Sequence, residues 1–311
     1  MELIRGIHNL RPSHRGCVLT IGNFDGVHLG HQQVLSKLKD KASALGLPAV
    51  VMSFEPQPQE VFRGEQAPAR LTRFRDKYLQ LSGQQIDRQL CVNFNQHFAA
   101  MEAACFIDDL LVNKLDVKYL VVGDDFCFGR GRHGNFAMLQ QAGKKYGFEV
   151  VSTASFCVEE QRVSSTAIRE ALANDALERA AALLGRPYSL TGRVSHGRKL
   201  GRTIGFPTAN VPLKRRVSPV HGVYAVEVNI AGSNTRYSGV ANIGNRPTVN
   251  GVRQQLEVHL FDFQQDLYGQ QIEVVLRLKL RDEIKFASFE ELKAQIERDA
   301  QQARQWLADN K

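Results

Sequence analysis

The 311-residue chain is poor in cysteine: Cys17, Cys91, Cys105, Cys127 and Cys157 are dispersed, with no Cys-x-x-Cys pair. An odd number at such spacing indicates neither a disulfide framework nor a zinc site, so reduced, packing cysteines are expected. No apolar run approaches the length of a membrane span. The first residues, with Glu2, Arg5, Arg11 and Arg15, lack the apolar core of a signal peptide. A cytoplasmic protein with no membrane partner is therefore expected. No G-x-x-x-x-G-K-[ST] occurs, which excludes a Walker A loop, and no aromatic-basic box of an RNA-binding domain occurs. The excess of 40 Lys+Arg over 32 Asp+Glu, a formal charge of +8, then suits nucleotides or phosphates, and no nucleic acid is expected.

The chain is long for one core, and 43% hydrophobic residues can build two. The most informative stretch is 18–31. Cys17 to Ile21 is a short apolar, β-branched run that suits a strand of a parallel sheet covered on both faces. Gly22, Gly26 and Gly30 permit a tight turn and close approach of backbone to a ligand. From His31 onward Val34, Leu35, Leu38, Ala42 and Leu45 recur at helical spacing until Gly46-Leu47-Pro48. His28 and His31 thus flank the first turn of a helix, where free N–H groups and the macrodipole favour an anion. A single such histidine is ordinarily a cap. Here Gly22, Asn23, Asp25, His28, Gly30 and His31 converge on one strand end, the arrangement of a phosphate site.

Strands at 49–54, 89–93 and 119–123 alternate with helices at 70–82 and 105–115, which predicts a doubly wound parallel sheet. The loop after the second strand, 55–62, reads as rigid, with Phe62 and the prolines offering a wall for a flat ring. Gly129 to Gly134 fits G-x-G-x-x-G, but five residues separate it from the strand, so it is the weaker phosphate loop. Ser164, Ser165 and Thr166 can cap a helix, and Arg169 on its first turn can clamp a phosphate. That helix is read through Leu184 to Gly185-Arg186-Pro187, where the domain boundary is placed: 1–185, then 186–311.

Beyond it, extended stretches at 188–194, 222–228, 236–243, 255–261 and 272–280, separated by glycines and prolines, predict a small antiparallel barrel. A final helix opens on the capping box Ser288-Phe289-Glu290-Glu291 and carries Phe289, Leu292, Ile296, Ala300, Ala303 and Leu307 on one face. The basic loop 196–210 is punctuated by Gly197, Gly201 and Gly205, includes Arg202, and ends in Thr208-Ala209-Asn210. Those neutral oxygens can complete the shell of a phosphate-bound Mg²⁺. Glu257 lies in an alternating strand, where most glutamates face water.

Taken together, the motifs at 22–31, 164–169, 201–210, 239–248 (Gly-Val-Ala-Asn-Ile-Gly-Asn-Arg-Pro-Thr), 256–260 (Leu-Glu-Val-His-Leu) and 266–269 (Asp-Leu-Tyr-Gly) resemble the prokaryotic bifunctional riboflavin kinase/FAD synthetase family over nearly the whole chain, in order. The resemblance implies an N-terminal Rossmann-like nucleotidyltransferase domain that makes FAD and pyrophosphate from FMN and ATP. It implies a C-terminal barrel that phosphorylates riboflavin with ATP and Mg²⁺. By the same resemblance His28 and His31 serve the nucleotidyltransferase, with Ser165, Thr166 and Arg169 as its second phosphate motif. Thr208 and Asn210 are the kinase Mg²⁺ ligands, Glu257 is its general base, and Asp125 and Arg281 fall on flavin-side segments. Riboflavin, FMN, FAD and ATP are the implied small-molecule partners of a monomer or weak oligomer. On the residues alone, an RNA-directed adaptor and a nicotinamide-dependent enzyme built on Gly129–Gly134 stay open as alternatives.

Overall fold

In a computed structural model the structure describes residues 1–153, 157–158, 161–196, 205–213, 217–248 and 251–310. The chain divides into two compact units, Met1–Pro68 with Thr72–Ser165, and Ala69–Leu71 with Thr166–Lys311.

The first unit is a parallel sheet of six strands, β1 (Glu2–Arg5), β2 (Cys17–Ile21), β3 (Ala49–Glu55), β4 (Arg88–Asn93), β5 (Val117–Val122) and β6 (Glu149–Ser152), in the order β1-β4-β3-β2-β5-β6. Its helices are α1 (Leu29–Leu45), α2 (Pro58–Arg63), α3 (Phe74–Gly83), α4 (Gln96–Ala99), α5 (Ala103–Cys105) and α6 (Phe136–Tyr146), with a π-helical turn over Phe106–Lys114 following α5. Strand β2 is buried along its whole length. Its alternate side chains feed two cores: Cys17, Leu19 and Ile21 join Phe106, Leu110 and Leu139 on one face. Val18 joins Leu35, Leu38 and Leu81 on the other. Helices thus cover both faces, the doubly wound architecture that the alternation predicts. Burial pushes the Cys17 thiol up to about 12. Cys17, Cys91, Cys105 and Cys127 are free thiols.

Several local expectations are corrected. The stretch 55–62 is not all loop, because Pro58 at the first position and Glu60, which accepts the Gln57 N–H at 2.9 Å, start α2. Helix α3 begins at Phe74 rather than residue 70, because the Thr72 N–H is held by the Asp25 carboxylate. Gly129–Gly134 is closed by reciprocal Phe128–Gly134 backbone bonds at 2.9 and 3.0 Å, which makes it a tied turn.

Chain continuity then runs through β7 (Cys157–Val158), β8 (Gln161–Arg162) and α7 (Ser165–Ala173), whose first residue closes the first unit. The single helix expected over 165–184 is two, α7 and α8 (Leu177–Leu184), separated at Asp175, whose φ of 58° is left-handed.

The second unit is an antiparallel sheet of six strands: β9 (Ser189–Arg193), β10 (Ala209–Pro212), β11 (Gly222–Ile230), β12 (Arg236–Thr248), β13 (Gly251–Leu260) and β14 (Gln271–Arg281). The order is β10-β13-β12-β11-β14-β9, and its edges meet where Ser195 N–H donates to Asn210 O at 2.8 Å, which nearly closes the barrel. Helix α9 (Phe289–Asp309) packs Ala300, Ala303 and Leu307 on Val223, Ala225 and Val240. Ser288 Oγ caps α9 by accepting the Glu291 N–H at 3.2 Å, as the sequence predicts. Phe289, expected on the buried face, is 51% exposed because it lies ahead of the contact with the barrel.

Asp299 on α9 is buried and receives Arg281 Nε at 3.0 Å and Nη2 at 2.8 Å, fastening the end of β14 to the helix. Removing one partner of a buried pair leaves an uncompensated charge. Asp299→Ala should therefore destabilise the protein by on the order of 3–5 kcal/mol in urea unfolding, and Asp299→Asn by clearly less.

Candidate active sites

In an open α/β sheet the ligand crevice lies beyond the carboxyl ends of the strands where the order reverses, here between β2 and β5. The residues after β2 form a buried, strained turn. Phe24 and Val27, both buried, take left-handed φ values of 49° and 40°, and Gly26 takes 86°. Such conformations cost energy and persist only where neighbours enforce them. Hydrogen bonds enforce them here: Asp25 Oδ1 accepts the Thr72 N–H at 3.0 Å and its hydroxyl at 3.1 Å. Gly26 N–H donates to Thr72 Oγ1 at 3.0 Å, and Ser165 Oγ donates to Asp25 O at 2.9 Å. Asp25 therefore fixes the turn, and Ser165 is brought to it.

His28 is the N-cap of α1, with Nδ1 accepting the His31 N–H at 3.3 Å. An Nδ1 that accepts leaves the ring proton on Nε2, where it can be donated. The two imidazoles stack at 3.6 Å between centroids, 17° from parallel. Burial first, then the neighbouring His28 and Lys77, hold the His31 pKa well below its ordinary 6.5, so His31 is a neutral imidazole. Its Nδ1 is buried without a protein partner, as is Asn23 Oδ1. A Cβ on Gly30 would press on the His28 ring at 3.3 Å and on Val163 O at 3.4 Å, which is why glycine stands there. Gly22 N–H bonds Met52 O at 3.1 Å and continues the sheet rather than facing a ligand.

At the same edge Phe62 is 67% exposed and meets Phe94 edge to face at 5.6 Å. Phe94 and Phe98 continue into Phe54 and Phe106, so an exposed ring stands on an aromatic floor. Asp125 follows β5 on the exposed loop that faces the reversal point. In the second unit Arg169 Nε donates to Ala69 O at 2.6 Å, while Thr166 is exposed at the head of α7.

The barrel brings a second group together. Asn210 on β10 lies directly opposite Glu257 on β13, and Asn242 on β12 opposes Glu257 from the other side. Opposite residues of an antiparallel pair share a face. Gln255 Nε2 donates to both Asn210 Oδ1 and, at 3.3 Å, Glu257 Oε1. His259, two residues on, bonds Pro207 O through Nδ1 at 2.9 Å and so holds the approach to Thr208; burial lowers its pKa. Gly205 takes a φ of 83° in that approach. Asn242 Nδ2 donates to Glu283 Oε1 at 3.1 Å, and a Cβ on Gly244 would overlap the Glu283 carboxylate. Arg281 is committed to Asp299 and stacks 5.7 Å over Phe286. Gly197, Gly201 and Arg202 lie outside the described residues.

A hydroxyl, an amide oxygen and a carboxylate are hard donors that fit Mg²⁺ held chiefly by substrate phosphates. Among the described residues no cluster of three or more His, Cys, Asp or Glu forms a protein-only metal cage. Lys77, Gln255 and His259 were not singled out from the sequence. The legible signal for the last two was their alternation with Glu257, which puts all three on one strand face.

Residues 10–167 match the FAD synthetase family and residues 184–307 the riboflavin kinase family. A bifunctional riboflavin kinase/FMN adenylyltransferase of Escherichia coli strain K12 is 59% identical, over 99% of this chain and 98% of its own. Proteins of the same description from Haemophilus influenzae and Pseudomonas fluorescens are 57% and 52% identical over 98% of this chain, and 98% and 97% of theirs. A crystal structure described as a macrolide-efflux protein from Streptococcus pneumoniae superposes with a TM-score of 0.82 at 30% identity, covering 98% of this chain and 100% of its own. No described helix of this chain is long and apolar enough to cross a membrane.

Because the folded His31 pKa lies below 6.5, the unfolded chain binds this proton first on acidification. The associated stability is complete above pH ~6.5 and is lost as pH falls toward the folded pKa. Denaturant unfolding from pH ~7.5 down to ~5.5 should show declining stability, and His31→Gln should flatten that decline.

Proposed function

The chain belongs to the bifunctional riboflavin kinase/FMN adenylyltransferase family, and we propose that its two activities are divided between the two groups of residues just described. It phosphorylates riboflavin to FMN and adenylylates FMN to FAD, using ATP for both. The observation that carries the division is that each unit gathers its own set of convergent polar groups, an imidazole pair at the sheet edge and an Asn–Glu pair across barrel strands.

In the barrel, Glu257 accepts the proton of the riboflavin 5′-hydroxyl as that oxygen attacks the γ-phosphate of ATP, and ADP leaves. Gln255 orients the carboxylate. Mg²⁺, when bound through Thr208 and Asn210, neutralises charge on the ATP phosphates. Gly197, Gly201, Arg202 and Gly205 belong to the loop assigned to those phosphates.

At the sheet edge, an FMN phosphate oxygen attacks the α-phosphate of ATP and pyrophosphate departs with the bonding pair. His28 and His31 donate hydrogen bonds to the α- and β-phosphates as charge builds on the leaving group. Gly22, Asn23, Asp25 and Gly30 hold this loop in shape. Ser165, Thr166 and Arg169 are assigned to nucleotide phosphates by the family resemblance of their motif. Exposed Phe62 gives the isoalloxazine ring a flat apolar partner, and Asp125 contributes from the loop after β5. Arg281, held by Asp299, acts on the flavin by setting the segment that follows it. The functional boundary falls at 185/186, where Gly185 caps α8 with a φ of 73°, so 1–185 makes FAD and 186–311 makes FMN. The chain works in the cytoplasm as a monomer or weak oligomer.

Chromatography of flavin products tests the division. Glu257→Ala should slow FMN formation about 10²–10⁴-fold and leave adenylylation of supplied FMN near wild type. His28→Ala combined with His31→Ala should do the reverse, with a loss of about 10²–10³-fold or more in FAD formation. Equal loss of both activities in either protein would contradict separate sites.

A further inference from the structure

Strand β10 pairs with β13 from Ala209, opposite Val258, to Pro212, opposite Gln255. Continued by one residue, that register sets Thr208 opposite His259, beyond the last backbone pair. Thr208 thus lies outside the ladder, while His259 is fixed within it on its other side, opposite Val240 of β12. From that position the imidazole reaches across to the loop, and Nδ1 stands 2.9 Å from Pro207 O. A carbonyl oxygen only accepts, so Nδ1 carries the proton. The ring is held as it donates: Phe206 meets it edge to face at 5.1 Å, and the core residue Phe261 does so at 5.8 Å. A Cβ at Gly239 would come within 2.5 Å of His259 O, so the glycine lets β12 approach the backbone that carries the ring. On the far side of Thr208, Asn210 Nδ2 donates to Thr208 O at 3.3 Å. The carbonyls before and after the Thr208 Cα are therefore each tied to a side chain, one to His259 and one to Asn210.

We infer that His259 is a positioning residue of the kinase step: its Nδ1–H fixes the Pro207–Thr208 peptide and so the place at which Thr208 meets the cation on the ATP phosphates. This rests on the assignment of Thr208 and Asn210 to that cation. Groups that hydrogen-bond the segments carrying metal ligands orient those ligands, and their loss costs about 10–100-fold in metal affinity or activity. A residue outside the ladder has no strand partner to hold it, so a side-chain tether does here what a backbone pair does for Asn210. His259 acts through Thr208 and not on the reacting atoms.

Asparagine carries its amide nitrogen at the place of histidine Nδ1, and glutamine carries it nearer the place of Nε2. The full-length enzyme is therefore compared with His259→Asn, His259→Gln and His259→Leu. The glutamine and leucine variants should lose about 10–100-fold in kcat for FMN formation, with KM for riboflavin within ~3-fold of wild type. With ADP and FMN, the products of the kinase step, present, these two variants should bind Mn²⁺ about 10–100-fold more weakly by electron paramagnetic resonance. His259→Asn should recover most of both losses, and adenylylation of supplied FMN should be unchanged in all three. In the wild-type enzyme, long-range ¹H–¹⁵N spectra near neutral pH should place the His259 proton on Nδ1. A proton on Nε2 would overturn the inference whether or not the variants fold. Mn²⁺ affinity within ~3-fold of wild type in His259→Leu, or asparagine performing no better than glutamine, would also overturn it. Thr208→Ala measured alongside separates the two failures. If it too leaves Mn²⁺ affinity unchanged, the assignment of the cation site falls; if it weakens Mn²⁺ binding and His259→Leu does not, only the role of His259 falls.

Discussion

The Asp25 carboxylate, buried under the turn that follows β2, is the contact on which the shape of that turn depends. It accepts both the amide and the hydroxyl of Thr72, while its own carbonyl receives Ser165. Segments far apart in sequence are thereby brought to one point, and the left-handed backbone at Phe24 and Val27 is held against its strain. A single buried carboxylate can do this because its desolvation is offset by the hydrogen bonds it accepts. Loss of any donor would release the turn, and with it the position of His28.

The barrel solves its positioning problem by a different route. Strand register, not a buried charge, sets Asn210 and Asn242 on either side of Glu257. The pleat fixes which side chains share the face, and a slip of one residue would turn Glu257 into the barrel interior and turn Leu256 and Val258 out of it. Near-closure through Ser195 and Asn210 removes the freedom that an edge strand would otherwise have. Site geometry is therefore inherited from the same hydrogen bonds that hold the sheet.

Much of this was legible in the sequence because it follows from period and punctuation. The apolar run 17–21, the helical spacing after His31 and the alternation through Glu257 each prescribe a face, and the structure has those faces. What was illegible depends on contacts between distant residues. Nothing local says that Asp25 will capture Thr72 and so delay α3 to Phe74, or that Phe24 and Val27, rather than only the glycines, will take positive φ. Lys77 was hidden for the same reason: in a helix, a buried lysine and a solvated one have the same spacing, and only the fold distinguishes them. Arg281 reads as a flavin contact by its place in the chain, but Asp299, eighteen residues on, takes its guanidinium.

The two sites also differ in a way that follows from their nucleophiles. A riboflavin hydroxyl is a poor nucleophile until it loses a proton, so a site acting on it needs a base, and Glu257 with its oriented oxygen stands in the barrel set. An FMN phosphate is already ionised near neutral pH, since the second ionisation of a phosphomonoester lies near pH ~6. A site acting on it gains nothing from a carboxylate, whose charge would repel both the nucleophile and the polyphosphate. The sheet-edge set fits that requirement: Asp25, the acidic residue of the 22–31 stretch, is turned into the fold and bound by Thr72, and imidazoles and an ammonium remain around the turn. On the proposed division, a presented carboxylate goes with the nucleophile that must lose a proton, and a buried one with the nucleophile that is already ionised.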